Sequence, residues 1–419
     1  MNPRTATILE SDQDIGAAAR HAARGILAAT DNPALVKASL TSRAERVAAI
    51  ASTQAAAVDR HSRFPAEAIA ALRAEKLLGL AVPRELGGEG AGIANIAEIC
   101  YLLGRACAST AMIYAMHQTK VACIVRHGSA SAWHQLLLRR LVNEQLLLAS
   151  STTEGQSGGD IRNSAAPIER DGGRVRLVRQ AAVISYGAAA DGIVTTARRT
   201  PDAASSDQVL VAFLKDDYTL TPVSGWDAFG MRGTCSEGFR LVASGTSEQI
   251  LPVAYGKIHA QTMMPVAHLL WSSVWAGIAA AATERARAFV RQAARRSGGA
   301  LPPAAAHLTR ADASLRSLRS LIAGALRRFE AADPAAIEAI DFQTGMNLLK
   351  VNASELAVAA VIGAMQTCGL AGYRNDSAFG IGRHLRDILS APIMISNDRI
   401  LANIAGAALL SGTPASLCD

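Results

Sequence analysis

The spacing of hydrophobic positions along the chain changes twice and separates three blocks. From about position 17 to about position 147, apolar residues recur at helical spacing. From about 149 to about 255, short alternating segments such as Val175–Leu177 stand between Gly, Asp and Ser residues, a pattern typical of strands. After Met263 the helical period returns and continues through the rest of the chain.

This order of blocks predicts an α+β protein. We predict an N-terminal α-helical domain over residues 1–148, a central β domain over residues 149–258 and a C-terminal helix bundle over residues 259–419. A length of 419 residues fits two or three domains, and a hydrophobic share of 50% indicates a globular chain with a sizeable core. Fold class alone indicates no reaction, so function has to be argued from individual residues.

Charge and cysteine usage exclude several functional classes. The net charge is +7, but the basic residues are scattered, so the sequence does not indicate a nucleic-acid-binding groove. The six cysteines form no CxxC pair and no zinc-type spacing, so we expect no metal site. Glu10, Asp12 and Asp14 stand where a signal peptide needs an apolar stretch, and no long uninterrupted apolar window occurs. We therefore expect a cytoplasmic protein that does not span a membrane.

The most informative local string is Thr153–Asp160, a polar, glycine-rich turn at the entry to the strand block. Its backbone N–H groups and hydroxyls could bind a polar heterocycle or a phosphate, and the alternative interpretation is an ordinary surface loop. The glycine run at 87–92 does not fit a dinucleotide-binding fingerprint, because Ile93 stands where the third glycine should fall.

Five short strings occur in an order that matches one known family. In chain order they are Leu80–Gly90, Thr153–Asp160, Gly230–Thr234, Gln366–Tyr373 and the pair Arg386–Asp387. Together they resemble the motifs of the acyl-CoA dehydrogenase family of flavoproteins, over roughly residues 60 to 412. The resemblance implies an N-terminal helical domain, a central β-barrel-like domain and a C-terminal four-helix bundle, assembled as a homodimer or homotetramer.

The resemblance also implies a flavin between the strand block and the bundle. By motif, Thr153 and Ser185 would hydrogen-bond the isoalloxazine ring. The family's tryptophan that packs on the flavin is replaced by Val183, which would leave room on one face of the ring.

A second set of residues would approach the diphosphate of FAD bound to a neighbouring subunit. By resemblance these are Gln366, Gly369 and Gly372, where small residues let backbone N–H groups come close to phosphate. Arg295 or Arg296 would supply a counter-charge, but the family's Arg-x-x-Phe-Gly motif is degraded here. FAD is therefore the expected cofactor, and FMN stays an alternative.

The catalytic base of the family is missing from both places where it is usually found. A Glu is expected nine residues after Arg386, where Ile395 stands, or on the first helix of the bundle, where Ala267 stands. Asp398 lies three residues beyond Ile395 and is the nearest carboxylate, although a helix-capping Asp is the more ordinary interpretation.

The missing base leaves three functions open. The first is an FAD-dependent, acyl-CoA dehydrogenase-like oxidoreductase that acts on an acyl thioester and lacks the usual Glu. The second is a reduced-flavin monooxygenase that hydroxylates S, N or C in a dry pocket with a nearby histidine. His117 and His384 are the candidates for this histidine, and the alternative interpretation of each is an ordinary helix residue. The third is a non-catalytic flavin-binding scaffold. The partners would be a small-molecule or acyl-thioester substrate and a flavin reductase or electron-transfer protein.

Overall fold

The computed structural model describes residues 33–154 and 161–410. Contacts between residues divide the chain into two units, Met1–Arg43 and Ala44–Asp419. Of the first unit, the described residues form the beginning of one helix. The second unit holds every strand and all the remaining helices of the described chain. The predicted division into three domains stays a prediction.

The first block is helical, as predicted. Its helices are α1 (Pro33–Arg60), α2 (Ala66–Ala74), α3 (Ile93–Ala106), α4 (Ala108–His127) and α5 (Ala132–Glu144). The extended backbone of Cys107 separates α3 from α4, and the Ser131 side chain caps α5 by accepting from the backbone N–H of His134. Most side chains of α4 are buried, so this helix lies inside the protein rather than on its surface.

The middle block consists of seven strands in two sheets. These are β1 (Leu148–Ser151), β2 (Glu169–Asp171), β3 (Arg174–Ile184), β4 (Gly192–Arg198), β5 (Gln208–Leu214), β6 (Tyr218–Ser224) and β7 (Glu237–Thr246). One sheet has the order β1-β4-β5 and the other β2-β3-β7-β6, with β1 parallel to β4 and all other pairs antiparallel.

The expected barrel-like closure is corrected by the structure, because over the described residues the two sheets stay separate. The physical reason is how the first sheet is covered. Strands β4 and β5 are buried at nearly every position, and Val194 and Leu210 pack in one hydrophobic cluster with Ile124 of α4 and Leu138 of α5. This sheet therefore buries its surface against helices rather than by curling onto itself.

The last block is helical again. It contains α6 (Tyr255–Ile258), a π-helical turn (His259–Met263), α7 (Met264–Arg296), α8 (Ala305–Ala331), α9 (Pro334–Glu338), α10 (Ile340–Cys368), α11 (Leu370–Tyr373), α12 (Gly382–Ile388) and α13 (Asn397–Leu410). Helices α7, α8 and α10 pack along one another, and the shorter α13 packs on α10. These four helices form the C-terminal bundle.

Two glycines bring the first and last blocks into direct backbone contact. A Cβ atom on Gly104 of α3 would lie 2.5 Å from the carbonyl oxygen of Val274, and one on Gly277 of α7 would lie 2.3 Å from that of Tyr101. No side chain fits at this crossing, which explains why glycine interrupts both helices despite a cost of about 1 kcal/mol each. The crossing fixes α3 directly on the bundle.

Two helical stretches, Tyr255–Arg296 and Ile340–Cys368, are long and apolar enough to cross a membrane by length and composition alone. In the first, 94% of the most apolar window is buried inside the protein, and in the second 56% is. Because both pack within the bundle, they are typical of core helices rather than membrane spans.

Candidate active site

The turn Gly230–Thr234 contacts the C-terminal block directly. A Cβ atom on Gly230 would lie 2.0 Å from the carbonyl oxygen of Arg386, so only glycine allows this approach. The backbone N–H of Met231 donates to Asp387 Oδ1 at 2.8 Å. Asp387 is buried, and burial raises the pKa of its carboxyl to about 6.

The same turn is hydrogen-bonded to the N-terminal helices. Arg232 donates through Nε to the carbonyl oxygen of Asp59 at 2.8 Å, and the N–H of Gly233 donates to Ser109 Oγ at 3.2 Å. The Asp59 carboxylate also forms an ion pair with Arg386. The turn therefore holds the three blocks together at one point.

A cavity of about 550 Å³ lies beside this turn and is named the central cavity. Its wall comes from α4, the ends of β1 and β3, the 226–236 segment, the start of α7 and the 386–395 segment. Six of the nine methionines line it: Met112, Met116, Met231, Met263, Met264 and Met394. Thioethers adapt to irregular and aromatic shapes, and the volume falls within the roughly 300–1,000 Å³ of small-molecule sites. The cavity is suited to an apolar ligand.

A row of hydroxyl groups runs along the strand side of the central cavity. Ser185 Oγ lies 2.7 Å from Ser236 Oγ, which lies 2.8 Å from Thr234 Oγ1. Thr234 in turn donates to the carbonyl oxygen of Met231 at 2.8 Å, so the row is anchored to the turn. All three hydroxyl residues line the cavity. The row therefore presents hydrogen-bonding groups to a polar edge of a ligand.

Two more residues predicted to surround a flavin ring also line the central cavity. Thr153 follows β1, and Val183 near the end of β3 leaves 37% of its surface exposed. The remainder of the glycine-rich string, residues 155–160, lies outside the described residues.

The described wall of the central cavity carries no carboxylate. Ile395 and Ala267, at the two positions expected for a base, both line the cavity. Asp398 does not; its side chain is exposed in the first turn of α13, as its interpretation as a helix-terminal residue predicts. The structure therefore brings both candidate base positions into the site with apolar side chains.

A buried lysine holds the wall segment that contains Ile395. Lys350 of α10 is fully buried and donates through Nζ to the carbonyl oxygen of Ile395 at 2.6 Å and to Asn397 Oδ1 at 2.7 Å. Burial lowers the pKa of Lys350 to about 8. The backbone of Ile395 has a positive φ of 50°, which is unfavourable for a β-branched residue, so these contacts stabilise an unusual conformation.

His117, a predicted catalytic residue, is not among the residues that line the central cavity. It is fully buried, its Nε2 lies 2.9 Å from the carbonyl oxygen of Leu78, and the backbone N–H of Leu148 donates to Nδ1 at 3.0 Å. Burial lowers its pKa to about 4, so the ring is neutral near pH 7. Since both nitrogens contact the backbone, His117 joins α4 to β1, and a catalytic role for it stays a prediction.

His384 of α12 is also buried and lies outside the lining of the central cavity. Burial, followed by the neighbouring charges of Arg383 and Arg285, holds its pKa well below the usual value. Its Nδ1 has no partner among the described residues. The structure therefore separates His384 from the site.

Sequence reasoning did not single out two ionisable residues of the described cavity wall, Lys120 and His268. Lys120 of α4 is 4% exposed, and His268 of α7 is 1% exposed. His268 interrupts an apolar stretch of its helix, and a lone ionisable residue in such a stretch is the signal that could have indicated it. Lys120 follows the polar residues His117, Gln118 and Thr119, so no comparable local signal marks it.

The residues expected near a diphosphate lie away from the central cavity. Gln366 is exposed near the end of α10, Gly369 ends that helix with a positive φ of 53°, and Gly372 packs against Cys368. Arg295 is exposed at the end of α7. Their role toward a neighbouring subunit stays a prediction.

Comparison with known proteins agrees with this architecture. The N-terminal domain of acyl-CoA dehydrogenases matches residues 38–144, and the C-terminal domain of acyl-CoA dehydrogenases matches residues 256–410. The chain belongs to the acyl-CoA dehydrogenase family. This confirms the resemblance carried by the five motifs and the order of the three blocks.

Known proteins that resemble this chain differ in the chemistry that their names state. Cyclohex-1-ene-1-carbonyl-CoA dehydrogenase of Geobacter metallireducens is 29% identical over 84% of this chain and 92% of its own length. L-evernosamine nitrososynthase of a Micromonospora species is 26% identical over 82% of this chain and 83% of its own length. The FMN-bound dibenzothiophene monooxygenase TdsC of Paenibacillus sp. A11-2 has the same fold, with a TM-score of 0.78 and 18% identity over 90% of this chain and 98% of that chain.

Proposed function

We propose that the chain is a flavin-dependent monooxygenase of the acyl-CoA dehydrogenase family, which uses a reduced flavin and O₂ to oxygenate an apolar ring substrate. The observation that carries this proposal is the wall of the central cavity, where Ile395 and Ala267 occupy both positions of the family's base. Dehydrogenation of an acyl thioester needs a base for the α-proton, and its loss typically costs about 10²–10⁴-fold in rate. Oxygen transfer needs no such base.

The residues around the cavity fit a flavin ring. The row formed by Ser185, Ser236 and Thr234 offers hydrogen bonds to the polar edge of the ring, and Thr153 lies on the same side. A bound reduced flavin would supply two electrons and two protons, so that one oxygen atom of O₂ enters the substrate and the other leaves as water. Val183 leaves space beside the ring.

The chain's own contribution is a dry, adaptable pocket. Apolar side chains exclude water, which protects reactive oxygen chemistry from side reactions. His268 lines this pocket as a neutral ring, because burial lowers its pKa to about 3, and its Nδ1 is held by the carbonyl oxygen of Met346. A neutral imidazole in this position can take part in hydrogen bonding without bringing a charge into the cavity.

Two of the three relatives support oxygen or nitrogen–oxygen chemistry by name, namely the nitrososynthase and the FMN-bound dibenzothiophene monooxygenase. By analogy, either FMN or FAD would serve, and the reducing equivalents would come from a separate flavin reductase.

The second candidate is an acyl-CoA dehydrogenase with an unusual base. It is favoured by the 29% identity to cyclohex-1-ene-1-carbonyl-CoA dehydrogenase over 364 residues. On this alternative a carboxylate outside the described wall would have to remove the α-proton.

The test is a pair of measurements on the purified, flavin-loaded protein. In the first, the oxidised protein is mixed anaerobically with butyryl-CoA and with cyclohexanecarbonyl-CoA, and we expect no bleaching of the flavin band. In the second, NADH, a flavin reductase and isotopically labelled O₂ are supplied with indole, dibenzothiophene or a simple phenol, and we expect label in the product. Bleaching by either thioester would reject the proposal in favour of dehydrogenation. No label in any product and no bleaching would instead indicate a non-catalytic flavin-binding scaffold.

A further inference from the structure

Lys120 is a buried amine in the wall of the central cavity. It is 4% exposed, and its Nζ donates to the thioether sulfur of Met263 at 2.8 Å. Among the described residues it forms no ion pair with a carboxylate. A thioether is a weak acceptor, so this contact compensates poorly for the loss of water around an ammonium group.

Among the described residues that line the cavity, no carboxylate faces the charge of Lys120. Burial lowers its pKa to about 8, which still leaves the amine mostly protonated near pH 7. The titratable groups around it do not neutralise it. Burial raises the pKa of the Cys123 thiol to about 12, His268 is neutral, and Arg386 is itself cationic and paired with Asp59.

We propose that Lys120 selects the substrate, and that the central cavity takes a flat, apolar ring that carries one acidic oxygen, bound as its anion in the manner of a phenolate. The ring would pack among the methionines, and the anionic oxygen would accept a charge-assisted hydrogen bond from Nζ. Lys120 contacts Met263 before α7, whereas the hydroxyl row lies on the strand block, so the two polar features belong to different walls.

This inference deepens the proposed function and rests on it. Oxygenation of a ring carbon replaces a C–H bond with a C–O bond, sends the second oxygen atom to water, and takes two electrons and two protons from the reduced flavin. An ionised phenol is more electron-rich than the neutral phenol, so binding the anion favours transfer of an electrophilic oxygen.

The test measures binding rather than turnover. Isothermal titration calorimetry on the flavin-loaded protein compares 4-nitrophenol with nitrobenzene, which has the same ring without the acidic oxygen. One hydrogen bond to a charged group is worth about 1.5–3 kcal/mol, so we expect the nitrophenol to bind about 10-fold more tightly, or better, at pH 7.5. Lys120→Met should abolish this preference, and Lys120→Arg should retain part of it. Met116→Leu, a change in the same wall that keeps the charge, should affect both probes equally.

The pH dependence gives a second readout. The affinity of wild-type protein for 4-nitrophenolate should fall as the pH rises above about 8, because Lys120 then loses its proton. In Lys120→Met the affinity should not change over this range. The thermal midpoint of each variant verifies that it is folded, and Lys120→Gln serves if Lys120→Met does not fold.

Three results would overturn the inference. The first is equal affinity of the wild-type protein for both probes, and the second is an undiminished preference for 4-nitrophenol in folded Lys120→Met. The third is a loss of flavin affinity in Lys120→Met while the preference for 4-nitrophenol is kept, which would show that the amine binds the flavin. Because binding needs no O₂, a failure of oxygenation with the anion preference intact would reject the proposed function alone.

Discussion

The Nδ1 atom of His268 lies 3.0 Å from the carbonyl oxygen of Met346, which indicates that this nitrogen carries the proton and donates it to the backbone. The other ring nitrogen, Nε2, is then an acceptor. Because burial lowers the pKa of His268 to about 3, the ring does not become charged between pH 5 and pH 8. The cavity thus contains a histidine that does not titrate in the physiological range.

We predict that His268→Gln lowers kcat/KM without changing the shape of its pH profile. The glutamine amide can still donate to Met346, and the loss of one neutral hydrogen bond, worth about 1 kcal/mol, corresponds to about fivefold. The measurement is kcat/KM from pH 5 to pH 8 for both proteins, with flavin content as the control for folding. An inflection near pH 6 to 7 that is present only in the wild-type protein would contradict this prediction.

We predict that Ile395→Glu introduces dehydrogenase activity. It places a carboxylate at the position where most of the family has its base, on a segment that Lys350 already holds through the Ile395 carbonyl oxygen. Glutamate is not β-branched, so it tolerates the positive φ of 50° at least as well as isoleucine does. Anaerobic bleaching of the flavin by butyryl-CoA should be about 10²-fold faster than in Ile395→Gln, the uncharged control of the same size. Equal rates in the two variants would show that position 395 does not face the thioester.

We predict opposite effects for two substitutions of Asp387. Asp387→Ala leaves the N–H of Met231 without its acceptor and should lower the free energy of unfolding by about 1–3 kcal/mol. Asp387→Asn keeps an acceptor and removes the buried charge, so it should be more stable than wild type at pH 7.

The pH dependence of this difference follows from the raised pKa. The folded protein holds the Asp387 proton up to about pH 6, whereas the unfolded chain releases it near 3.8. In this window the folded state binds more protons, so wild-type stability falls as pH rises, by up to about 3 kcal/mol from this group. We expect urea unfolding to show that the free energy of unfolding of Asp387→Asn, relative to that of the wild-type protein, is higher at pH 7 than at pH 4. The same difference in unfolding free energy at both pH values would show that Asp387 does not have a raised pKa in the folded protein.

We predict that alanine is not tolerated at the crossing of α3 and α7. Gly104→Ala would place a methyl group 2.5 Å from the carbonyl oxygen of Val274, and such overpacking typically costs about 1–3 kcal/mol. The matched control is Gly324→Ala in α8, where nothing lies within 4 Å of the added methyl group. That change should stabilise the protein by about 0.5–1 kcal/mol. Equal unfolding free energies for the two variants would show that α3 can move away from α7.

The order of the elements could be predicted because it depends on local periodicity. Strand β3 alternates between exposed and buried positions over Arg174–Ile184, as its sequence pattern predicts. The glycine-rich turns also follow from local geometry, since Gly87 and Gly90 adopt positive φ values of 92° and 65°. Thr153 and Ser185 line the cavity because both stand at the ends of strands.

The composition of the cavity wall could not be predicted in the same way, because it depends on contacts between distant segments. His117 is held by Leu78, 39 residues before it, and by Leu148, 31 residues after it. Lys120 meets Met263 across 143 residues. No local pattern distinguishes a histidine that contacts the backbone from one that faces a ligand. The family motifs indicated where a base should be, and the structure added which side chains take its place.

The methionines of the central cavity have a consequence for the lifetime of the enzyme. Thioethers are oxidised to sulfoxides, which are polar and chiral and pack differently in an apolar wall. If the protein activates O₂, an oxidant that escapes transfer inside the cavity can react with Met112, Met116 or Met263, which line it. The extent of oxidation of these methionines, measured as an increase in mass, would then report the number of unproductive cycles. Repair by sulfoxide reductases would determine how long the protein stays active.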